Sequence, residues 1–577
     1  MRTFILGFVF LFFYSCNTTK TDYDFTTTFE KSNGLKTATY AEVIDFYKNL
    51  ALTHPEITIN EMGETDSGFP LHMVVYNVSG KVDFNNNKKS VILINNGIHP
   101  GEPDGVDASM LLLRDLVQNK KFTNLYKNTV LVIIPMYNIG GALNRNSTSR
   151  ANQNGPEAYG FRGNARNYDL NRDFIKADTK NTKSFAQIFH LINPDVFIDT
   201  HVSNGADYQY TLTHLFTQYN KLSNDLGDFI EHNMRPQIET ALQNKNLSIT
   251  PYVNVWGTTP DKGFSQFFDY PRYSTGYTTL FNSLGVMIET HMLKPYKQRV
   301  EQTFELLECI INYTNNNYMI IKNLRKDAVS KILEKKTYPI QYALDATKFN
   351  TLQFNGFEAE YLSSNVTNGK RLYYNRNKPY TKHIKYFNIF TVTDSITIPK
   401  AYILKKGWWN IIDRLQNNNI TYTVFKKDSI IEAEKQTIKY FETRKNPYEG
   451  HYLHFNTKTS SVIENVHVNK GDLYIPVDQK GIRYIIETLE ASATDSFFNW
   501  NFFDTLLQQK EGYSAYVFED KAESFLQENP EIRKALNLKI KNDTSFAKNP
   551  RAQLNFVYKH SPYYEKSHLT LPVYKVY

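Results

Sequence analysis

The chain has 577 residues, 41% of them hydrophobic and 14% aromatic, which is too much apolar material for a disordered chain and enough for two to four domains. Its formal net charge of +8 comes without a run of Lys or Arg, so no nucleic-acid partner is expected. With only 2 Cys, a disulfide scaffold and a zinc site of several thiolates are excluded, and any metal must be held by His and carboxylates.

Behind Arg2, residues 4–14 are uncharged and almost wholly apolar. As a helix they would span about 16 Å, roughly half a bilayer core, so they read as a secretory signal and not as a membrane span. Ser15-Cys16 and the polar Asn17-Thr18-Thr19-Lys20 resemble the end of a bacterial lipoprotein signal, with Phe13 where an aliphatic is usual. The expectation is an exported cell-envelope lipoprotein: residues 1–15 removed, lipid on Cys16 as a membrane anchor, and a tether over 16–40. An ordinary secreted protein cut nearby is the alternative.

Four short apolar runs follow, 90–95 (SVILIN), 129–135 (TVLVIIP), 195–200 (DVFIDT) and 284–290 (LGVMIET). Such runs suit strands covered on both faces, as in a largely parallel sheet. Between them, 40–52, 105–119, 182–191 and 220–244 carry apolar residues at helical spacing, and 299–324 reads as a closing helix. The alternation predicts an α/β domain over 41–320. Residues 321–577 form an accessory region of mixed α/β or α+β texture. Strands are expected there at 401–404, 420–425, 452–455 and 472–476, and helices at 408–415, 497–509, 522–527 and 530–536. Trp408 and Trp409 are candidates for a surface contact or for a buried helix start.

His99-Pro100-Gly101-Glu102 follows the first of these strands and is the one H-x-x-E match among 14 His. Gly97 and the Pro-Gly pair allow a tight turn that brings both side chains to one side. His201, 99 residues after Glu102, ends another strand, and Glu289, 88 residues further, ends a third. Ligands in open α/β sheets bind beyond the carboxyl ends of strands. Two His and a carboxylate with an open fourth position make a catalytic zinc arrangement. Glu289 is either a general base for a zinc-bound water or a salt-bridged strand end. Residues 161–174 (FRGNARNYDLNRDF) hold three Arg and three Asn, a solvated loop or an anion pocket. His291, two residues after Glu289, is either a substrate contact or a structural His.

This ordered set, HxxE, DLNRD, a strand-end His and a strand-end Glu, resembles the zinc carboxypeptidase family of the carboxypeptidase A type over roughly residues 40–315. The resemblance implies a three-layer α/β/α fold with a mixed, largely parallel sheet. It implies one Zn²⁺ on His99, Glu102 and His201, and Glu289 as catalytic base. Arg162 would polarise the scissile carbonyl, with Arg166 as the competing choice. Asn171 and Arg172 would grip a substrate's free terminal carboxylate, and Asp169 would orient the first zinc His. A mobile Tyr upstream of the base falls among Tyr270, Tyr273 and Tyr277, with Tyr277 preferred. Gly101 stands where the animal digestive members carry Arg, and Asn138-Ile139-Gly140-Gly141 stands for their Asn-Pro-Asp-Gly. Residues 150–156 (RANQNGP) and 203–207 are closer to a large bacterial subgroup with C-terminal extensions. The expected activity is removal of a C-terminal residue from peptides. The rivals are an amidohydrolase of the same fold acting on N-acyl amino acids or cell-wall peptides, and a non-catalytic peptide-binding protein, which would lack a ligand or the base.

Overall fold

A computed structural model describes residues 23–119, 126–222 and 224–577. Cys16 and the residues expected to form a signal segment and lipid anchor lie outside the described residues. Strands β1 (Ile57–Glu64), β2 (Pro70–Tyr76), β3 (Ser90–Asn95), β4 (Thr129–Ile134), β5 (Val196–Ser203), β6 (Leu212–Phe216) and β7 (Ile249–Pro251) form one sheet with β9 (Leu284–His291); the two-residue β8 (Phe264–Ser265) lies outside it. The order is β1-β2-β4-β3-β5-β9-β6-β7. Its four central strands run parallel, and antiparallel pairs occur towards both edges. Every residue of β3 and β4 is buried, which is why their sequences are continuous apolar runs without alternation.

The two faces are covered differently. Ile92 and Ile94 of β3 point into a core shared with the helices Tyr40–Thr53, Asp104–Gln118 and Tyr296–Asn316. Val91 and Leu93 point into a second core, which holds Phe185 and Phe189 of the helix Lys180–Ile192 and runs on into Tyr484, Ile485 and Trp500 of the C-terminal region. The accessory region therefore supplies part of the third layer and shares one apolar core with the sheet domain. The expected closing helix is two helices, Tyr296–Asn316 and Tyr318–Leu333. The second is tied to the sheet domain by Lys322 and Arg325, which reach Asp195 at 3.2 and 2.5 Å, so the first domain's packing extends past residue 320.

Beyond it, β10 (Thr337–Leu344) pairs with β13 (Phe390–Thr397), and β11 (Asn350–Ser363) with β12 (Lys370–Phe387). β12 also pairs with β8, stitching this hairpin to the first domain. A six-stranded sheet follows, from β14 (Ala401–Leu404), β15 (Thr423–Val424), β16 (Ser429–Thr443), β17 (His454–Val468), β18 (Leu473–Pro476) and β19 (Thr570–Val576).

Several expectations need correction. Residues 23–39 are not a free tether. Thr27 and Glu30 form a capping box on the helix Thr28–Lys31, Phe29 is buried, and Arg114 donates to Glu30 at 2.6 Å. The helix expected over 220–244 runs from Asn224 to Gln243 and widens into a π-type turn at Ile230–Met234. Pro236 accounts for the widening, because it lacks an N–H and crowds the preceding turn. Residues 497–509 form turns and a short 3₁₀ segment, Asp504–Leu507. Their aromatics Phe497, Phe498, Trp500 and Phe503 are all buried, so no single face could be amphipathic. The strand expected at 420–425 shrinks to β15. Trp409 is 69% exposed, whereas Trp408 packs edge-on against Phe503.

Candidate active site

The chain leaves β3 through Gly97, whose φ of +68° and whose contact with Met136 Sδ, 2.6 Å from any added Cβ, leave room only for glycine. The following turn, closed by Glu102 N–H donating to the His99 carbonyl at 2.8 Å, directs His99 and Glu102 inward. On β5, the parallel strand paired directly with β3, His201 comes from the same sheet edge, with Glu289 of β9 directly beside it in register.

His99 Nδ1, His201 Nδ1 and Glu102 Oε2 form a triangle with sides of 3.3, 3.1 and 3.2 Å. All three residues are 3% exposed. Each imidazole uses its other nitrogen on a carboxylate. His99 Nε2 meets Asp169 at 3.0 Å, and His201 Nε2 meets Asp199 at 2.7 Å. Those bonds hold the Nε2 protons and turn both Nδ1 lone pairs towards the Glu102 carboxylate. Three electron-rich atoms facing one another in a buried site repel unless a cation lies between them. Tetrahedral bonds of about 2.1 Å would set such atoms about 3.4 Å apart, close to the spacing found. The donor set therefore fits one zinc ion, and among the described residues it is the one cluster of this type.

The field around the triangle agrees. Burial alone would raise the Glu102 carboxyl, but His99 and Arg150 outweigh it and hold it well below the ordinary range. Asp169 is likewise lowered despite burial, by His99, Arg162 and Arg172. His201 is raised well above its ordinary value, because Asp199, Glu102 and Glu289 outweigh its burial. A site that so favours a proton on His201 also favours a divalent cation there.

The triangle opens on a cavity of about 450 Å³. Glu289 lies in its wall, with Oε2 free of any protein hydrogen bond. Burial pushes its carboxyl up to about 8, with His201 opposing and Glu102 and Asp199 adding to the rise. Arg162 reaches into the cavity and pairs with Asp169 at 2.9 Å, while Arg166 stacks on Tyr168 outside it. Asn171 is fixed through Oδ1, which accepts from Ser274 N–H at 3.0 Å. Arg172 lies over the Tyr273 ring at 4.5 Å and donates to the Asn171 carbonyl at 2.9 Å. Leu215, Phe267 and Met287 give the cavity an apolar side.

Tyr277 is not part of this cavity. It is 1% exposed, packs among Phe174, Phe185 and Phe189, and donates to Asn418 Oδ1 at 2.6 Å. The helix Ser274–Thr279 begins at the site, with Ser274 bonded to Asp199, and by Tyr277 it has turned into the core below. Tyr273 and Tyr252 are the tyrosines that line the cavity. His291 is structural. Its Nε2 meets the Ala206 carbonyl at 3.2 Å, its Nδ1 accepts from Leu293 N–H at 3.0 Å, and its ring abuts Tyr208.

Two site residues escaped the sequence reading. Asp199 stands two positions before His201 on a strand and so shares its face, a usable signal. Arg150 binds Glu102 Oε1 at 2.9 Å from a distant loop. It passes directly over Gly101, where an added Cβ would meet Arg150 Cδ at 2.5 Å. A side chain at 101 would displace it.

Residues 43–201 match the family model for zinc carboxypeptidase. The chain is similar to carboxypeptidase 2 of Trichophyton rubrum, 24% identical over 40% of this chain and 43% of that protein. It is also similar to carboxypeptidase 2 of Trichophyton equinum, 20% identical over 81% of this chain and 84% of that one. The chain thus spans less than half of the first relative's length. Among solved structures, a metallo-carboxypeptidase from Burkholderia cenocepacia aligns over 50% of this chain and 70% of its own at 14% identity and a TM-score of 0.37. A carboxypeptidase A from Helicoverpa armigera aligns over 52% and 77% at 15% identity and a TM-score of 0.38. The family match runs through His99 and Glu102 and ends on His201, so the segment that carries the donor triangle is similar to the zinc carboxypeptidases.

Proposed function

We propose that this protein is a zinc metallocarboxypeptidase that releases the last residue of peptides bearing a free terminal carboxylate. What carries the reading is one juxtaposition: the His99–Glu102–His201 donor triangle, the unpartnered Glu289 carboxylate and the Asn171–Arg172 pair all face one cavity. Zinc, when bound, supplies Lewis acidity that polarises the scissile carbonyl and acidifies water. Glu289, whose carboxylate lies in the cavity wall with Oε2 free of protein partners, takes the proton from the attacking water and returns it to the leaving amine. Arg162 presents its guanidinium to the oxygen on which charge develops, and its pairing with Asp169 keeps it aimed there. Asn171 and Arg172 hold the substrate carboxylate, and the stacked Tyr273 ring limits the swing of the Arg172 fork. The apolar side formed by Leu215, Phe267 and Met287 takes the departing side chain.

The test pairs metal content with hydrolysis. Purified full-length protein is expected to bind about one zinc, and Glu289→Gln is expected to keep the metal and lose hydrolysis. A Glu289→Gln variant with parental activity overturns the reading. Parallel assays on a peptide, its C-terminal amide and an N-acyl amino acid separate a carboxypeptidase from an amidohydrolase of the same fold.

The apolar run 4–14 followed by Ser15-Cys16 supports export and lipid attachment at Cys16. Cys16→Ala is then expected to move the protein from the membrane to the soluble fraction. Unchanged partitioning rules the anchor out.

A further inference from the structure

The accessory region reaches the active site through one turn. Tyr448, Glu449, Gly450 and His451 close a two-residue hairpin loop, in which Tyr448 N–H donates to the His451 carbonyl at 2.7 Å and His451 N–H returns the bond at 3.1 Å. Both central residues have positive φ, +49° for Glu449 and +81° for Gly450, as a type I′ turn requires. Asn, Asp or Gly ordinarily fill the first of these positions. A Glu there costs about 1 kcal/mol of backbone strain, so its side chain is the reason to look further.

That side chain reaches into the substrate-binding segment. Glu449 Oε2 accepts the backbone N–H of Asp169 at 2.9 Å, across 280 residues of sequence. Its neighbours in the turn do the same. The Tyr448 phenol lies beside the Arg172 guanidinium. Gly450 sits so close to Tyr168 that an added Cβ would lie 2.8 Å from the phenol oxygen. His451 Nε2 meets Asp178 at 2.7 Å, and Asp178 in turn pairs with the buried Lys176 at 2.9 Å. Four consecutive residues of the turn thus each touch a different point of the 168–178 segment. Trp500, fully buried, stacks on Tyr448 and abuts His451, backing the turn from the accessory core.

Asp169 is the hub of the site. It carries His99 through Oδ1, and its Oδ2 takes Arg162 and, at 3.8 Å, Arg172. We infer that the 448–451 turn positions the carboxylate-binding segment for substrate, with Glu449 and Tyr448 as positioning residues, so that the accessory region completes the active site. This rests on the carboxypeptidase reading above, because the segment it positions is the one read as gripping a terminal carboxylate.

The test uses zinc-loaded full-length protein carrying Glu289→Gln, so that binding is read without turnover. Calorimetry compares a blocked dipeptide acid with its C-terminal amide, in this background and with Glu449→Ala, Glu449→Gln or Tyr448→Phe added. Losing the carboxylate that accepts the Asp169 N–H is expected to weaken acid binding about tenfold and to leave the amide within about twofold. Glu449→Gln, which keeps an acceptor oxygen, is expected to restore most of the acid affinity. Tyr448→Phe removes one hydroxyl without touching the turn, and a selective loss for the acid is expected there as well, whether or not Glu449→Ala folds. Equal losses for acid and amide would show a merely structural role and overturn the inference. So would acid affinity within twofold of the background in both Glu449→Ala and Tyr448→Phe. If the background protein itself binds acid and amide alike, the carboxylate grip fails first, and the inference falls with it.

Discussion

Replacing Asp199 separates the contribution of a hydrogen-bonded charge from that of the zinc ligands themselves. Asp199 is fully buried, and its Oδ2 accepts from His201 Nε2 at 2.7 Å and from the Ser274 hydroxyl, while Oδ1 accepts from Asn95 Nδ2 at 3.3 Å. Hydrogen bonds to ionised groups contribute about 1.5–3 kcal/mol, and neutral ones about 0.5–1.5. Asp199→Asn can keep the His201 tautomer if its amide oxygen faces the ring. Its NH2 would then face Asn95, whose Oδ1 has no partner and can turn to accept. Only the charge assistance is lost, about 1–1.5 kcal/mol, or roughly tenfold in zinc affinity. Asp199→Ala frees the ring to rotate and to move its proton to Nδ1, which removes a ligand. A loss of about a hundredfold is expected. Competition titration against a chromophoric chelator at pH 7.5 reads both. An alanine variant within about threefold of the parent would refute the orienting role, and an asparagine variant weaker than the alanine one would refute the amide-flip argument.

Tyr277→Phe is expected to leave kcat/KM within about twofold of the parent and to cost about 1 kcal/mol of stability through the stranded Asn418, whereas Tyr273→Ala, which removes the ring beneath Arg172, is expected to raise KM several-fold for free-acid peptides. Steady-state kinetics with thermal unfolding checks both, and the opposite pattern would return the assisting role to Tyr277. Asp107 provides a pH signature of stability away from the cavity. It is fully buried, and burial pushes its carboxyl up to about 6 from an ordinary value of 3.8, despite bonds from Ala38 N–H and the Tyr296 hydroxyl. The folded state therefore holds this proton more tightly than the unfolded chain, so its contribution to stability falls as pH rises from about 4 to about 6 and is flat above that. Two pH units amount to about 3 kcal/mol at most. Asp107→Asn removes the term, so the variant's stability relative to the parent is expected to rise across that window in denaturant titrations, and a constant difference from pH 4 to 7 would count against the shifted carboxyl.

The legible part of this chain is the part where burial leaves a simple pattern. β3 and β4 are buried on both faces, so their sequences are unbroken apolar runs whose ends are marked by the first polar residues. His99, Glu102, His201 and Glu289 sit at or just beyond such ends, which is why they stand out in the sequence as candidates. Tyr277 could not be placed, because one turn of helix separates a cavity wall from a core, and the Ser and Thr around it (Ser274, Thr275, Thr278, Thr279) are all buried and show no apolar period to tell one face from the other. The hairpins of the accessory region were missed for the opposite reason. β12 is largely exposed along most of its length, with Tyr, Lys and Asn alternating on two wet faces, and no apolar period marks it as a strand.

The accessory region is harder to read for a further physical reason. Its contacts with the site are polar, single and far apart in sequence. A carboxylate that accepts one backbone N–H from Asp169 imposes no period, no spacing and no choice of neighbour; it requires only that the turn at 448–451 be held in place, and Trp500 and the shared core do that from behind. The strands select their residues through burial, whereas the turn selects one Glu through geometry. The strained φ at Glu449 is the trace of that selection in the fold, because a turn serving only to reverse the chain would have no reason to retain it.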